Sequence, residues 1–147
     1  MKNLLRFLFV FAVLLFILFS LLYLTLPSTY KLKTENPQIT ALMQQRQDEA
    51  AQEGKKYKIS QKWVSFKDIP LLMKQSVRIS EDAGFYLHEG IDLHELEEAI
   101  KTNIAEGSFK RGASTITQQL AKNLYLSTER SLFRKLREYL LLADFVI

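Results

Sequence analysis

The chain has 147 residues, enough for one domain plus an appendage but not for two full domains. It has no cysteine, which excludes disulfides, thiolate catalysis and cysteine-based metal sites, and its two histidines are too few for a typical histidine-based zinc site. The formal net charge of +4 fits a domain that works beside anionic lipid or phosphate.

The first predicted element is a membrane-spanning helix over residues 4–26, which are apolar apart from Arg6, Ser20 and Thr25. As a helix this stretch would be roughly 34 Å long, enough to cross a bilayer core. No small-x-small cleavage site follows at a suitable distance, so we expect an uncleaved signal anchor. Lys2 and Arg6 precede most of the apolar run, which predicts a cytoplasmic N-terminus and an exported remainder.

The next segments are predicted to be a linker and two helices. Residues 38–56 favour a short helix near the membrane surface that ends in a turn at Gly54, and residues 57–66 favour a short strand or an extended arm. Ser65 is placed to cap a helix over 67–79. Its inward residues would be Ile69, Leu72, Met73 and Val77.

Three further helices are predicted after a loop at 81–90. Asp92 and Glu95 cap a helix that runs to about Ala105 and is stopped by Gly107, with Leu93, Leu96, Ile100 and Ile104 buried. Ser114 or Thr115 caps the next, with Ile116, Leu120 and Leu124 on one face. Thr128 or Ser131 starts the last, with Leu132, Leu136, Leu140 and Ala143 on one face.

The segment RGASTITQQLAKN, residues 111–123, combines hydroxyls, amides and two cations without any carboxylate. Thr115 and Gln118 have the spacing of a capping box. A helix N-terminus with free N–H groups, flanked by Arg111 and Lys122, is suited to an anion such as phosphate. Alone, the segment is slightly better explained as an ordinary capped helix with a polar face.

Two other segments favour a binding role for residues 111–123 over an ordinary capped helix. EDAGFYLHEGID, residues 81–92, places the adjacent carboxylates of Glu81 and Asp82 at the end of an apolar helix. RSLFRKLRE, residues 130–138, is a basic amphipathic stretch. Each alone is better explained as a solvated turn or surface helix.

Together and in this order, the three segments resemble the signature motifs of glycosyltransferase family 51, the peptidoglycan transglycosylases. The resemblance covers roughly residues 38–142, and a membrane anchor joined directly to the domain is similar to the monofunctional biosynthetic members. It implies a mainly α chain: a cytoplasmic N-terminus and transmembrane anchor over 1–30, a membrane-proximal linker over 31–56, and the N-terminal part of a lysozyme-like transglycosylase domain over 57–147.

The resemblance implies that lipid II is polymerised into β-1,4 glycan strands in cell-wall biosynthesis, with release of undecaprenyl diphosphate. Glu81 matches the catalytic carboxylate that takes the proton of the acceptor hydroxyl. Glu138 matches the second family carboxylate, which would hold basic side chains or help to bind a divalent ion. The basic diphosphate contacts would be Lys122, Arg130 and Arg137. Sugars and phosphate would be oriented by Ser114, Thr115, Gln118, Gln119 and Asn123, and the loop around Glu81 would be shaped by Asp82, Phe85, His88 and Gly90.

The resemblance also implies a setting for this chemistry. No organic cofactor is expected, and the diphosphate leaving group makes a divalent cation such as Mg²⁺ a candidate whose ligands stay unassigned. The expected partners are lipid II, polyprenyl-diphosphate-linked glycan, the lipid bilayer and other cell-wall synthesis proteins, but not nucleic acid. The expected location is the bacterial cytoplasmic (inner) membrane, crossed once, with the N-terminus inside and the catalytic domain outside.

The chain departs from the family pattern after Glu138. A further family helix with an ILE-x-YLN pattern does not occur, and YLLLADFVI lacks the usual acidic residue near Val146 or Ile147. We therefore expect the catalytic domain to be incomplete at its C-terminus. This leaves open a truncated, catalytically inactive membrane-anchored relic that at most binds lipid II or cell-wall partners. A lysozyme-type hydrolase is disfavoured, because hydrolysis needs no cradle for a diphosphate.

Overall fold

The computed structural model describes residues 2–129 and 131–145, and its regular structure is entirely helical. The helices are α1 (Lys2–Leu24), α2 (Ala41–Gln52), α3 (Leu71–Glu81), α4 (Leu93–Glu106), α5 (Ile116–Tyr125) and α6 (Leu132–Phe145), with short 3₁₀ turns at Tyr30–Lys33 and Phe66–Asp68. These ranges contain no strand, which confirms the mainly α prediction. The strand alternative for 57–66 is wrong, since residues 57–65 have no regular structure.

Helix α1 is long and apolar enough to cross a membrane, judged by length and composition, and none of its side chains is buried in the protein. Its end is attached to the end of α6. The Tyr23 hydroxyl donates to Asp144 Oδ1 (3.3 Å), and the Thr29 hydroxyl donates to the Asp144 carbonyl (3.3 Å). The end of α1 therefore lies beside the last turn of α6.

The core of the described chain is small and lies where α5 packs against α6. Its fully buried members are Ala121, Leu126, Leu141 and Leu142, and Leu26, Ile91, Tyr125, Tyr139 and Phe145 pack around them. The buried residues of α6 are Glu138, Leu141 and Leu142, whereas Leu132, on the predicted apolar face, is 92% exposed.

Helix α3 begins later than predicted, at Leu71, because Pro70 occupies the N-cap and residues 66–68 form a separate 3₁₀ turn. Pro at a helix start is favourable because its missing N–H would have no partner there. Ser65 lies at the N-cap of the 3₁₀ turn and not of α3, and its side chain makes no capping hydrogen bond. The predicted inward residues Leu72, Met73 and Val77 are exposed.

Helix α4 has the predicted ends but not the predicted buried stripe. The Asp92 carboxylate accepts the Glu95 N–H (2.9 Å), and Gly107 ends the helix in the left-handed conformation (φ 61°). Leu93, Ile100 and Ile104 are exposed, whereas Ala99 is buried. The capping signals act within a few residues, but the buried face depends on which neighbours cover the helix.

Helix α2 packs against α5 and fixes the connection from α5 to α6. Gln45 Nε2 donates to Thr128 Oγ1 (2.6 Å), and Gln45 Oε1 accepts the Thr128 N–H (3.0 Å). The neighbouring Glu129 carbonyl accepts a hydrogen bond from Arg134 Nε (2.6 Å). Helix α2 thus holds the start of the connection that leads into α6.

Replacing Leu141 by alanine tests the α5–α6 core. Leu141 is fully buried, so Leu141→Ala removes apolar contacts and leaves a cavity. We expect the free energy of unfolding to fall by about 2–5 kcal/mol, measured by urea unfolding of the full chain in detergent micelles. The matched variant Leu132→Ala, on the same helix but exposed, should lie within about 0.5 kcal/mol of the parent. Equal losses in both variants would contradict this core.

Candidate active site

The adjacent carboxylates Glu81 and Asp82 point in different directions. Helix α3 ends at Glu81, whose side chain is exposed, whereas Asp82 is buried (7% exposed). Asp82 Oδ2 accepts the backbone N–H of Ile116 (3.0 Å), and Asp82 Oδ1 accepts a hydrogen bond from His88 Nε2 (2.9 Å). Asp82 therefore joins the end of α3 to the start of α5, while Glu81 stays accessible.

The start of α5 is a complete capping box. The Thr115 hydroxyl accepts the Gln118 N–H (3.2 Å), and the Gln118 side chain accepts the Thr115 N–H (3.0 Å). The Thr115 hydroxyl also donates to the Gly90 carbonyl (2.6 Å). Thr115 and Gln118 are at most 2% exposed, so both side chains serve the fold.

Two of the N–H groups expected to be open to an anion at this helix start are already occupied. Asp82 takes the Ile116 N–H and Thr115 takes the Gln118 N–H, so these donors already have acceptors. An isolated helix terminus leaves its first N–H groups open. Here a carboxylate from the end of α3 supplies the negative charge that the positive end of the helix favours.

The exposed face of α5 turns toward Glu81. Gln119 Nε2 donates to Glu81 Oε2 (2.9 Å) and reaches the Ser114 carbonyl (3.5 Å). Lys122 and Asn123 follow Gln119 by three and four residues, so they share its side of the helix. Within residues 2–129 and 131–145, no ion pair engages the Lys122 ammonium.

Glu138 lies inside the molecule and is paired with two cations of its own helix. Its carboxylate accepts hydrogen bonds from Arg134 and Lys135, and its side chain is 3% exposed. Lys135 Nζ also reaches Ser114 Oγ at 3.5 Å. The geometry favours the role of holding basic side chains over direct contact with a substrate.

Lys135 is the site residue that the sequence reasoning left without a role. It lies three residues before Glu138, a spacing at which helical side chains meet, and this spacing was the available signal. Its ammonium is partly exposed and lies beside Ser114. The positively charged Lys135 ammonium therefore lies next to the start of α5, and the negatively charged Glu81 carboxylate contacts the same helix through Gln119.

One predicted diphosphate contact stands apart from this arrangement. Arg137 Nη2 donates to the Thr25 carbonyl (3.4 Å), so its guanidinium faces the end of α1. Arg130 lies outside the described residues. Of the predicted loop-shaping residues, Phe85 packs edge-on against His88, with ring centroids 6.4 Å apart.

A cleft of about 390 Å³ opens beside Glu81, between the end of α3, the start of α4 and residues 112–115. Glu81, Asp92, His94, Glu95 and Ser114 line it. Gly84 makes its wall compact, because a Cβ there would lie 2.7 Å from Asp92 Oδ2. The cleft thus holds an exposed carboxylate close to hydroxyl and amide groups that can orient a polar substrate.

Among the described residues, one group has the spacing to hold a metal ion. It consists of Asp82, His88 and Asp92, whose ligand atoms lie within 4.8 Å of one another. They do not fit a resident Mg²⁺ ion. Both Asp82 oxygens accept protein hydrogen bonds, and Asp92 Oδ1 caps α4. Mg²⁺ requires open oxygen ligands in octahedral geometry and retains several waters.

Comparison with known proteins identifies similar chains. Residues 46–144 match the family model described as Transglycosylase. A biosynthetic peptidoglycan transglycosylase of Herminiimonas arsenicoxydans is 43% identical over 103 residues, which are 70% of this chain and 45% of the relative. The protein of that name in Nitrosomonas eutropha is 38% identical over 109 residues, 74% of this chain and 45% of the relative. The chain spans about half the length of the curated relatives it matches.

The Asp82 carboxylate is expected to be the main link between α3 and α5. Asp82→Ala would remove its hydrogen bonds to Ile116 N and His88, leaving buried donors unpaired. We expect the free energy of unfolding to fall by about 2–4 kcal/mol in urea unfolding of the full chain in micelles. Asp68→Ala, an exposed position, is the matched control. A loss no larger than that of the control would show that Asp82 does not hold these elements together.

Proposed function

Because the chain belongs to the transglycosylase family, we propose that it acts as a peptidoglycan glycosyltransferase that polymerises lipid II into β-1,4 glycan strands. The observation that carries the proposal is the position of Glu81. Its carboxylate is exposed at the cleft and held by Gln119, while the neighbouring Asp82 is consumed by the fold. One accessible, oriented carboxylate is what a general base for a sugar hydroxyl requires.

In the proposed reaction, the 4-hydroxyl oxygen of lipid II's N-acetylglucosamine attacks the anomeric carbon of the growing chain. The new carbon–oxygen bond forms as the bond from that carbon to the diphosphate breaks. Glu81 takes the hydroxyl proton, and undecaprenyl diphosphate leaves with the bonding electrons. The attack comes from the face opposite the leaving group, so the α linkage becomes β.

The leaving diphosphate needs positive charge, because negative charge develops there as the bond breaks. Lys135 beside Ser114 and Lys122 on the Gln119 side of α5 are the cations that the described structure offers for this role. Arg137 and Arg130 stay predicted contacts. Glu138 would act through Lys135, by holding its ammonium near Ser114.

A divalent cation stays a prediction. The described residues do not form a Mg²⁺ cage, so such an ion would be held mainly by the diphosphate oxygens, as is common for Mg²⁺ with phosphate substrates. Its chemical contribution would be to neutralise the leaving group.

The proposed setting is the outer face of the bacterial cytoplasmic membrane. Helix α1 would cross the bilayer once, with Lys2 and Arg6 on the cytoplasmic side. The substrate carries a polyprenyl tail, so a membrane anchor keeps the domain where its substrate lies. Contacts with other cell-wall synthesis proteins belong to this proposal as well.

The alternative is a membrane protein that binds lipid II without polymerising it. The exposed apolar faces of α3 and α4 favour this candidate, because a catalytic domain normally covers such surfaces. Incubation of the purified full chain with labelled lipid II separates the two functions. Glycan product supports the polymerase, and retained lipid II without product supports the binding protein.

Glu81→Gln tests the general base. The amide cannot take a proton, so we expect the polymerisation rate to fall by about 10²- to 10⁴-fold. Binding of labelled lipid II should stay near the parental value, because the side-chain shape is kept. Glu89→Gln, an exposed position on the same loop, should polymerise at the parental rate. Undiminished polymerisation by Glu81→Gln would remove Glu81 from the proposal.

Lys122→Ala tests the diphosphate contact on α5. Loss of one charge-assisted contact should weaken lipid II binding about tenfold or more, measured with a fluorescent lipid II in micelles. Binding of a lipid that lacks the diphosphate should not change. Lys110→Ala removes the same charge from an exposed position between α4 and α5, off the Gln119 side of α5, and should bind normally. An unchanged affinity of Lys122→Ala would place the diphosphate elsewhere.

A further inference from the structure

Residues 55–67, KKYKISQKWVSFK, form a lysine–aromatic segment that the proposed reaction does not use. The segment has five lysines and no acidic residue. It has no regular structure up to Ser65, and all its residues except Ile59 are exposed. Of its lysines, Lys55 pairs with Glu53 (2.6 Å), and the other four make no ion pair with the residues that the structure describes. Each of these four cations is therefore exposed to solvent.

Aromatic side chains alternate with these lysines. Tyr57 and Trp63 are about half exposed, and Phe66 is 72% exposed. At the end of the segment the Lys74 ammonium lies over the Phe66 ring, 4.4 Å from its centroid, and adds another cation. Exposed Trp and Tyr are enriched at membrane interfaces, where the ring contacts lipid and the polar edge meets water.

The segment is tied to the part of the chain that leaves the membrane helix. Gln61 Nε2 donates to the Pro37 carbonyl at 3.5 Å. Pro37 follows Leu24, the last residue of α1, by 37 − 24 = 13 residues. This hydrogen bond joins the segment to the linker that follows α1, although the segment lies further along the sequence.

We infer that residues 55–67 bind the anionic phospholipid head groups of the membrane that α1 enters. Lys56, Lys58, Lys62 and Lys67 would contact lipid phosphates, and Trp63 and Tyr57 would lie at the level of the head groups. A lysine near an anionic membrane surface strengthens binding by roughly fivefold. Two anchors, α1 and this segment, would then fix the orientation of the domain as well as its distance from the bilayer. The inference does not depend on the proposed glycosyltransferase activity.

The segment carries its own reporter, because Trp63 is the single tryptophan of the chain. The full chain is reconstituted in lipid nanodiscs of phosphatidylcholine alone, or of phosphatidylcholine mixed with phosphatidylglycerol. Helix α1 spans both kinds of disc, so any difference in Trp63 fluorescence reports the segment. Brominated lipids of each composition then measure the contact of Trp63 with the bilayer.

We expect quenching of Trp63 by brominated lipid to be at least about twofold stronger in the anionic discs. Raising NaCl to about 1 M, where the Debye length is about 3 Å, should remove the difference. Equal quenching in both compositions would overturn the inference. So would a Trp63 response to a soluble anionic polymer in phosphatidylcholine discs without any response to phosphatidylglycerol, since that would make the partner a polymer.

A pair of charge-matched variants identifies the lysines responsible. Lys58→Gln with Lys62→Gln removes two charges beside Trp63, and should lower the quenching in anionic discs toward the phosphatidylcholine value. Lys101→Gln with Lys110→Gln removes two charges, one within α4 and one after its end, and should quench like the parent. Equal losses in the two variants would reduce the effect to net charge and overturn the assignment to this segment.

Discussion

The buried carboxylate of Asp82 is the constraint on which the site depends. It connects the last turn of α3 with the first N–H group of α5 and with His88. A buried charge is tolerated only when hydrogen bonds replace its lost hydration, and here both oxygens have partners. The Thr115 hydroxyl adds a second link, to the Gly90 carbonyl, so the loop between the two helices is held at both ends. Glu81 takes no part in these links, and its carboxylate instead accepts a hydrogen bond from Gln119 at the cleft.

Glu81 and Glu138 are chemically alike, but their surroundings separate their roles. Glu81 is exposed and accepts a single side-chain hydrogen bond among the described residues, from Gln119. Glu138 is buried between Arg134 and Lys135. Both Glu138 oxygens already accept hydrogen bonds from these two cations. Proton transfer from a substrate therefore suits Glu81, and Glu138 suits the orientation of Lys135.

The sequence allowed local features of this site to be predicted, and it failed where distant residues decide. The Thr115–Gln118 capping box, the Asp92 cap and the Gly107 stop each depend on residues within four positions. The apolar stripe of α4 was wrong, because periodicity shows that a helix has an apolar face but not what covers it. The start of α5 was expected to offer free N–H groups, but the Ile116 N–H is taken by Asp82, which lies 34 residues before it in the sequence. The orientation of Arg137 depends on the end of α1, which is more than a hundred residues away.

The attachment of α6 to α1 bears on where the proposed reaction would occur. Tyr23 and Thr29, at the membrane exit, bond to Asp144, and Arg137 bonds to the carbonyl of Thr25. The same helix carries Lys135, which reaches Ser114 at the start of α5. A diphosphate linked to a polyprenyl tail lies at the level of the lipid head groups, because its tail is in the hydrocarbon and its charge is not. A helix fastened to the end of the membrane anchor would hold its cations near that level, so the anchor would contribute to the geometry of the site as well as to its location.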